Sequence, residues 1–225
     1  MIMSTKLFIQ AIMKFVLGVI LVGVLVFWPA GTLAFYNGWL FMTVLFIPMF
    51  GAGIVMMFKN PELLQKRLNA KEKRGEQALV VKLSGLMFLA GFVVAGLNFR
   101  FDWYMVPWGV SVGATVVFLI AYLLYAEVLR ENTYLSRTIE VQEGQKVIDT
   151  GLYGIVRHPM YSVTLFLFLA MPFILGSVYS IVIFLAYPFI IAARIRNEEQ
   201  LLEQELAGYK EYKQKVKYRM IPFVW

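Results

Sequence analysis

The chain has no cysteine and a single histidine, His158, among its 225 residues. These absences exclude disulfides, thiol nucleophiles, iron–sulfur clusters and the zinc sites that Cys and His side chains build. We therefore expect no metal in this protein. Any chemistry has to come from a bound cofactor or from Arg, Glu, Tyr and backbone groups.

Charged residues are also scarce, at 16% of the chain, whereas 60% of the residues are hydrophobic and the mean hydropathy is +0.70. The chain holds more apolar surface than one soluble core can bury, and several apolar runs exceed the roughly 18 residues that mark a membrane-spanning helix. The composition predicts an all-α, multi-pass integral membrane protein that is surrounded by membrane lipids.

The apolar runs predict a bundle of about six spans. Four spans reach as far as residue 128, at residues 11–35, 39–58, 81–97 and 108–127. The last run, residues 161–193, is too long for one crossing of a hydrocarbon core of about 30 Å at about 1.5 Å per residue. Pro172 and the stretch "LGSVYS" at 175–180 predict a break and a turn, so this run should form a helical hairpin.

The basic residues predict the orientation of this bundle. With six spans, every Lys and Arg except Arg100 falls on one side of the membrane, and the positive-inside rule makes that side cytoplasmic. Both chain ends and the surroundings of His158 then face the cytoplasm. Attraction to anionic lipid is sufficient to explain the net charge of +7, so we expect no nucleic-acid partner.

The cytoplasmic segment at 60–77 has the features of a short helix on the membrane surface. Asn60 is a plausible cap, and Pro61 suits the first helical position. Apolar side chains would share one face of this helix: Leu63, Leu64 and Leu68. The alternative is a solvated basic connector.

The stretch "GLYGIVRHPMYS" at 151–162 ends a polar loop that is too long for a minimal helix connection, and such loops are often functional. A residue before proline is disfavoured in the α region, so His158 should be extended and Pro159 should open a helix. That start would leave amides unpaired beside Arg157, namely those of Met160, Tyr161 and Ser162. Such a site suits a carboxylate or a phosphate; the alternative is simple anchoring of the helix end at the headgroups.

Three charged residues lie at the inner end of the final span. Arg194 and Glu198 are four residues apart on one helical face, and Glu199 is next to them. Pairs at this spacing are usually weak surface salt bridges. Because the hairpin returns the chain to the side of the membrane that carries Arg157 and His158, we expect all of these residues to share one pocket.

The ordered combination of "GLYGIVRHPMYS", "RIRNEEQLL", "GYKEYKQKV" and "RMIPF" resembles the isoprenylcysteine carboxyl methyltransferase family, and more broadly the membrane methyltransferases that include phospholipid methyltransferases. The resemblance covers roughly residues 120–225. It implies a cytoplasm-facing S-adenosylmethionine pocket in a C-terminal methyltransferase core at 121–225, preceded by N-terminal transmembrane helices at 1–120. That core would contain a cofactor-binding loop, the helical hairpin and a C-terminal helix.

The resemblance also implies roles for individual residues. Arg194 would face the substrate carboxylate, and Glu198 would meet the cofactor, although Glu199 is the alternative for that role. Together with Arg157, the remaining cofactor contacts would be Gln142, Gln145, Lys146, Val147, Ile148, Tyr153, His158, Pro159, Met160 and Tyr161.

The implied reaction agrees with the side chains that are present. Methyl transfer from a sulfonium to a carboxylate needs no histidine, cysteine or metal base, because the nucleophile is already ionised; alignment of donor and acceptor is enough. A lipid-like or prenylated acceptor would enter laterally from the membrane. The alternatives are a lipid-amine or phospholipid N-methyltransferase, a sterol-type reductase that uses NADPH, and a non-catalytic membrane scaffold.

Overall fold

The architecture was obtained as a computed structural model, which describes residues 4–68, 75–136 and 140–225. The described residues form helices joined by turns, with no strand beyond one isolated bridge between Met105 and Ser177. The helices are α1 (Thr5–Ala30), α2 (Tyr36–Lys59), α3 (Pro61–Leu68), α4 (Gly75–Arg100), α5 (Trp108–Glu131), α6 (Pro159–Ile174), α7 (Val178–Phe184), α8 (Tyr187–Glu205) and α9 (Tyr209–Lys215). A 3₁₀ turn occupies Gly151–Gly154.

Five helical segments are long and apolar enough to cross a membrane, and they confirm the predicted all-α, multi-pass class. They are Thr5–Ala30, Tyr36–Lys59, Ala78–Arg100, Trp108–Glu131 and Val178–Glu205. The apolar helix α6 has 16 residues and is therefore about 24 Å long, which is shorter than a hydrocarbon core of about 30 Å. It packs closely along α5, and a sixth span formed by it stays a prediction.

Three turns meet at one end of the bundle, which we call the turn end: 31–35, 101–107 and 175–177. Asn37 at the start of α2 donates a hydrogen bond to the carbonyl of Ile174 at 2.8 Å. The amide of Val106 donates to the carbonyl of Gly176 at 2.9 Å. Because these turns join successive passes, α3, the loop before α6 and the C-terminal segment all lie at the opposite end.

The predicted hairpin is present, but its turn is shorter than the expected 175–180. Ser177 caps α7, since its hydroxyl accepts a hydrogen bond from the amide of Ser180 at 3.2 Å. Gly176, with φ +74, supplies the left-handed residue that the tight turn needs. Residues 178–180 therefore belong to α7, which starts directly after its capping residue Ser177. Pro188 lacks the N–H that would continue the hydrogen-bonding pattern of α7. The helix is therefore interrupted between α7 and α8.

The surface helix begins as its sequence predicts. Pro61 is its first residue, and the amide of Leu63 donates to Oδ1 of Asn60 at 3.1 Å. Its apolar face packs against α1 and α2, with Leu64 in a buried cluster. Helix α3 is described as far as Leu68, residues 69–74 lie outside the described part, and residues 75–77 belong to α4, so the predicted extent of the surface helix to 77 stays a prediction. The hydropathy pattern predicts a span from residue 81, whereas α4 begins at Gly75, because the first turn of the helix is polar.

One large apolar core joins the passes and holds α6 in place. Phe41, Phe118 and Phe184 are fully buried in it. Gly91 permits close packing of α7 on α4, because a Cβ at this position would lie 2.3 Å from Cε2 of Phe184. The start of α6 is thereby held at the end of the bundle that faces away from the turns.

Candidate functional site

The start of α6 is fixed by the C-terminal segment. Pro159 opens the helix, as predicted. The amides of Arg157 and His158 donate to the carbonyls of Tyr218 and Arg219 at 2.9 and 2.8 Å. His158 adopts φ −125 and ψ 61, which is outside the α region but is not the extended conformation that its place before proline predicts. The two bonds place the Arg157 and His158 side chains between α8 and the C-terminal segment.

The predicted set of unpaired amides at this helix start is not present. The amides of Tyr161 and Ser162 both donate to the carbonyl of His158, at 3.0 and 3.1 Å. The first turn closes on its own capping residue, so these two groups are not available to an anion. The predicted anion site therefore loses these two of its three amides.

Glu199 is buried at the centre of a group of cations. Its carboxylate accepts hydrogen bonds from Arg157 Nε at 2.7 Å and from Arg219 Nε at 2.9 Å. His158 Nε2 lies 3.3 Å from the same carboxylate, and Lys213 Nζ lies 3.9 Å away. Because a buried carboxylate is costly unless it is paired, these contacts are what makes its position tolerable. Glu199 therefore joins α8 to the start of α6 and to the C-terminal segment.

Two of the three guanidinium nitrogens of Arg157 donate hydrogen bonds to described residues, and Nη2 does not. Nε donates to Glu199, and Nη1 donates to the carbonyls of Val216 and Lys217 at 2.7 and 2.8 Å. No hydrogen bond to a described residue engages Nη2. The guanidinium is thus held rigidly, with one donor group remaining for a ligand.

Glu198 has different surroundings from Glu199. Successive residues of a helix point about 100° apart, so the two carboxylates cannot face the same partners. The Tyr161 hydroxyl donates to Oε2 of Glu198 at 2.5 Å and accepts a hydrogen bond from Nε of Arg194 at 2.9 Å. The Tyr161 hydroxyl thereby connects the buried Arg194 to Glu198.

An open cavity lies beside these residues, with a volume of about 840 Å³ that includes its opening to solvent. Its lining comes from the loop before α6, the start of α6, the end of α8 and α9. The lining residues are Asn132, Tyr134, Leu135, Ser136, Glu140, Gln145, Lys146, Val147, Ile148, Tyr153, Arg157, His158, Met160, Tyr161, Arg194, Glu198, Leu201, Leu202, Leu206, Tyr209 and Tyr212. We call the end of the bundle that contains it the cavity end.

Most of the residues expected from the sequence line this cavity, and three do not. Pro159 is buried as the first residue of α6, and Glu199 lies in its cluster of cations. Gln142 braces the loop: its side chain donates to the carbonyl of Tyr134 at 2.5 Å, and its amide donates to Oε1 of Gln145 at 2.9 Å. These three positions support the walls of the cavity.

Sequence reasoning missed the aromatic wall that α9 provides. Tyr209 and Tyr212 are three residues apart in "GYKEYKQKV", a spacing that puts both on one face of a helix. The Tyr212 hydroxyl donates to the carbonyl of Tyr153 at 2.7 Å, and Asn132 donates to the Tyr153 hydroxyl at 3.0 Å. The spacing was visible in the sequence, but nothing in it indicated that α9 folds back over the loop.

The three tyrosines of this wall act as neutral groups. Burial raises the pKa of the hydroxyls of Tyr153, Tyr209 and Tyr212 well above the ordinary value. Each remains protonated at neutral pH because the phenolate would be formed away from water. The wall therefore offers hydrogen-bond donors and no phenolate base.

Comparison with known proteins gives a family match and a similarity to a sterol reductase. Residues 112–204 match the sequence model of the Isoprenylcysteine carboxyl methyltransferase (ICMT) family. Delta(14)-sterol reductase TM7SF2 of Mus musculus is 31% identical over 91 residues, which is 39% of this chain and 22% of the reductase. The chain thus aligns with about a fifth of that relative's length. The family match includes α6 and the part of α8 that carries the two glutamates, and it confirms, over residues 112–204, the resemblance of this membrane protein to the ICMT family of methyltransferases.

Proposed function

We propose that the protein transfers a methyl group from S-adenosylmethionine to the carboxylate of a lipid-like acceptor, and that the transfer takes place in the cavity. The observation that carries this proposal is the separation of the two neighbouring glutamates. Glu199 is neutralised by cations, whereas Glu198 lines the cavity and is joined to Arg194 through the Tyr161 hydroxyl. A cavity lined by Glu198, Arg157 and Arg194, among other charged residues, can hold a zwitterion and an anion side by side.

The residues present fit the proposed cofactor. Its amino-acid end needs an acceptor for an ammonium group and a donor for a carboxylate, which Glu198 and Nη2 of Arg157 provide. Its nucleoside needs apolar and aromatic walls, which Val147, Ile148 and Tyr153 provide. When bound, S-adenosylmethionine supplies a methyl group attached to a positively charged sulfur.

Arg194 is the residue that we assign to the acceptor. It is buried, and the Tyr161 hydroxyl fixes its Nε atom. A guanidinium held in this way can orient an ionised carboxylate towards the methyl donor without removing any proton. Orientation in a site that excludes water contributes several kcal/mol to such a reaction.

The proposed orientation puts the cavity end in the cytoplasm. With six passes, Arg100 at the end of α4 is the one basic residue of the sequence assigned to the other side. The acceptor's apolar tail would lie among the membrane-spanning helices while its carboxylate reaches Arg194. Prenylated acceptors of the kind named in the family's description satisfy this requirement.

A second candidate is a sterol-type reductase that uses NADPH. The similarity to Delta(14)-sterol reductase favours it, although the match covers 22% of that protein. Glu198 favours S-adenosylmethionine, because this carboxylate in the cavity can accept hydrogen bonds from the ammonium of an amino-acid end, which NADPH does not have. A lipid-amine N-methyltransferase would share the cofactor site and differ in the acceptor.

Calorimetric titration of the purified protein with S-adenosylmethionine and with NADPH separates these enzyme classes. Binding of the first ligand alone is the expected result, and binding of NADPH alone would favour the reductase. Membranes that contain the protein are then incubated with S-adenosylmethionine labelled in its methyl group, and the extracted lipid is treated with base. Release of labelled methanol identifies an ester and hence a carboxylate acceptor, whereas label retained in the lipid identifies an amine.

A further inference from the structure

Tyr209 carries a buried hydroxyl that has no hydrogen-bond partner among the residues that the structure describes. Tyr209 is 3% exposed, so the hydroxyl is shielded from bulk solvent. Tyrosine hydroxyls that are buried usually have a partner, because an unpaired polar group loses its hydration without compensation. Phenylalanine would fill the same space without this cost.

The position of Tyr209 is set by the turn before α9. Gly208 adopts φ +82, a left-handed conformation that favours glycine, and Tyr209 follows it as the first residue of α9. The ring packs with Leu206 and Tyr212 and lines the cavity. Its placement is therefore a product of the local fold and does not depend on the hydroxyl.

The charged groups around the hydroxyl are those that the proposed function uses at the amino-acid end of the cofactor. Glu199 and Glu198 raise the pKa of Tyr209 further, and Arg157 lowers it, which puts all three within electrostatic reach. Glu199 is already saturated by its cations. A neutral hydroxyl within electrostatic reach of Arg157 is suited to donate to the same anion as the guanidinium does.

We propose that the Tyr209 hydroxyl is a ligand-binding group, and that it donates a hydrogen bond to the carboxylate at the amino-acid end of the cofactor beside Nη2 of Arg157. This inference rests on the proposed function, since it takes the ligand to be S-adenosylmethionine. The hydrogen-bond acceptor of the Tyr209 hydroxyl is then part of the ligand and not of the protein.

The test compares two variants that each remove one hydroxyl from the same wall, Tyr209→Phe and Tyr212→Phe. The probes are S-adenosylhomocysteine and methylthioadenosine, which has the same nucleoside but no amino-acid end. We expect Tyr209→Phe to weaken binding of S-adenosylhomocysteine about ten- to hundredfold, as for a lost hydrogen bond to a charged group, and to leave binding of methylthioadenosine unchanged. Its melting temperature without ligand should be equal to or above that of the natural protein.

The control Tyr212→Phe should change the stability of the protein and not its affinity for S-adenosylhomocysteine. Its hydroxyl donates to the carbonyl of Tyr153, so its loss should lower the melting temperature without ligand. Equal lowering of the melting temperature by Tyr209→Phe would show that its hydroxyl has a partner within the protein, and would overturn the inference.

The ligand measurements supply the other contrary outcomes. Unchanged affinity of Tyr209→Phe for S-adenosylhomocysteine overturns the inference, and so does an equal loss of affinity for methylthioadenosine, which would move the contact to the nucleoside. If the natural protein binds neither probe, the proposed function itself fails, and this result is distinct from a failure of Tyr209.

Discussion

The two ends of the bundle treat buried polar groups differently. At the turn end, these groups are neutral and pair with one another or with backbone carbonyls. Asn37 donates to Ser111 at 3.0 Å, Ser111 donates to the carbonyl of Phe173 at 2.8 Å, and Ser180 donates to the carbonyl of Gly91 at 2.9 Å. These bonds join α2, α5, α6, α4 and α7 where the turns meet.

At the cavity end, the buried polar groups are charged and are only partly used by the protein. Arg157 retains Nη2, and Tyr209 retains its hydroxyl, after all their described contacts are counted. Neutral groups that satisfy each other hold helices together and require nothing more. Charged or unpaired groups around a cavity are costly without a ligand, and the difference identifies the cavity end as the place where binding is expected.

The distinction between the two ends requires that the turn end and the cavity end lie on opposite sides of the membrane. We expect reporter fusions after Arg100 and at Trp225 to report opposite sides, with Trp225 cytoplasmic, because the cavity end carries the basic residues. The measurement is the activity of side-specific reporters in whole cells. Two identical reports would remove the six-pass orientation and the cytoplasmic cavity with it.

Among substitutions, Glu199→Gln should have the largest effect on stability. It leaves the buried Arg157 and the partly exposed Arg219 without their counter-charge, at a cost of about 3–5 kcal/mol that comes mainly from Arg157. Thermal unfolding in detergent measures the loss, and the matched control is Glu198→Gln, one residue earlier. Equal destabilisation by both would mean that the two glutamates have the same structural role.

Arg194→Ala and Glu198→Gln should separate turnover from cofactor binding. We expect Arg194→Ala to reduce turnover of a carboxylate acceptor about 10²- to 10³-fold, as for the loss of one preorganised donor, with cofactor affinity nearly intact. Glu198→Gln should weaken cofactor binding by about 1.5–3 kcal/mol. Affinity and turnover are measured for both variants in nanodiscs.

The shared Tyr161 hydroxyl makes this separation a demanding test. If Arg194 and Glu198 act only as a structural pair, both variants will lose affinity and turnover to the same extent. Full turnover of the Arg194 variant would instead indicate an uncharged or amine acceptor.

At the turn end, Ser177→Ala should have a small effect that is confined to stability. Removing the cap of α7 and the bond to Asn98 should cost about 1 kcal/mol, while cofactor affinity stays unchanged. Calorimetry with S-adenosylmethionine and a melting curve measure both quantities. A loss of affinity here would mean that the turn end is coupled to the cavity.

Local features of the sequence were sufficient to predict much of this fold. Hydropathy located the spans, and Pro159 located the start of α6. Asn60 with Pro61 located the start of the surface helix. Each of these signals acts within one or two helical turns, so no knowledge of distant contacts was needed. The division of the chain at residues 120 and 121 stays a prediction.

The sequence by itself determined the class of the protein, its helical passes and the residue types near the cavity. Only the tertiary structure decided that Glu198 lines the cavity while Glu199 pairs with cations, and that the amides of Tyr161 and Ser162 are already satisfied. The physical reason is that periodicity and hydropathy describe neighbours along a helix. The partners of Arg157 lie about 40 to 60 residues away in the chain, and only packing brings them together.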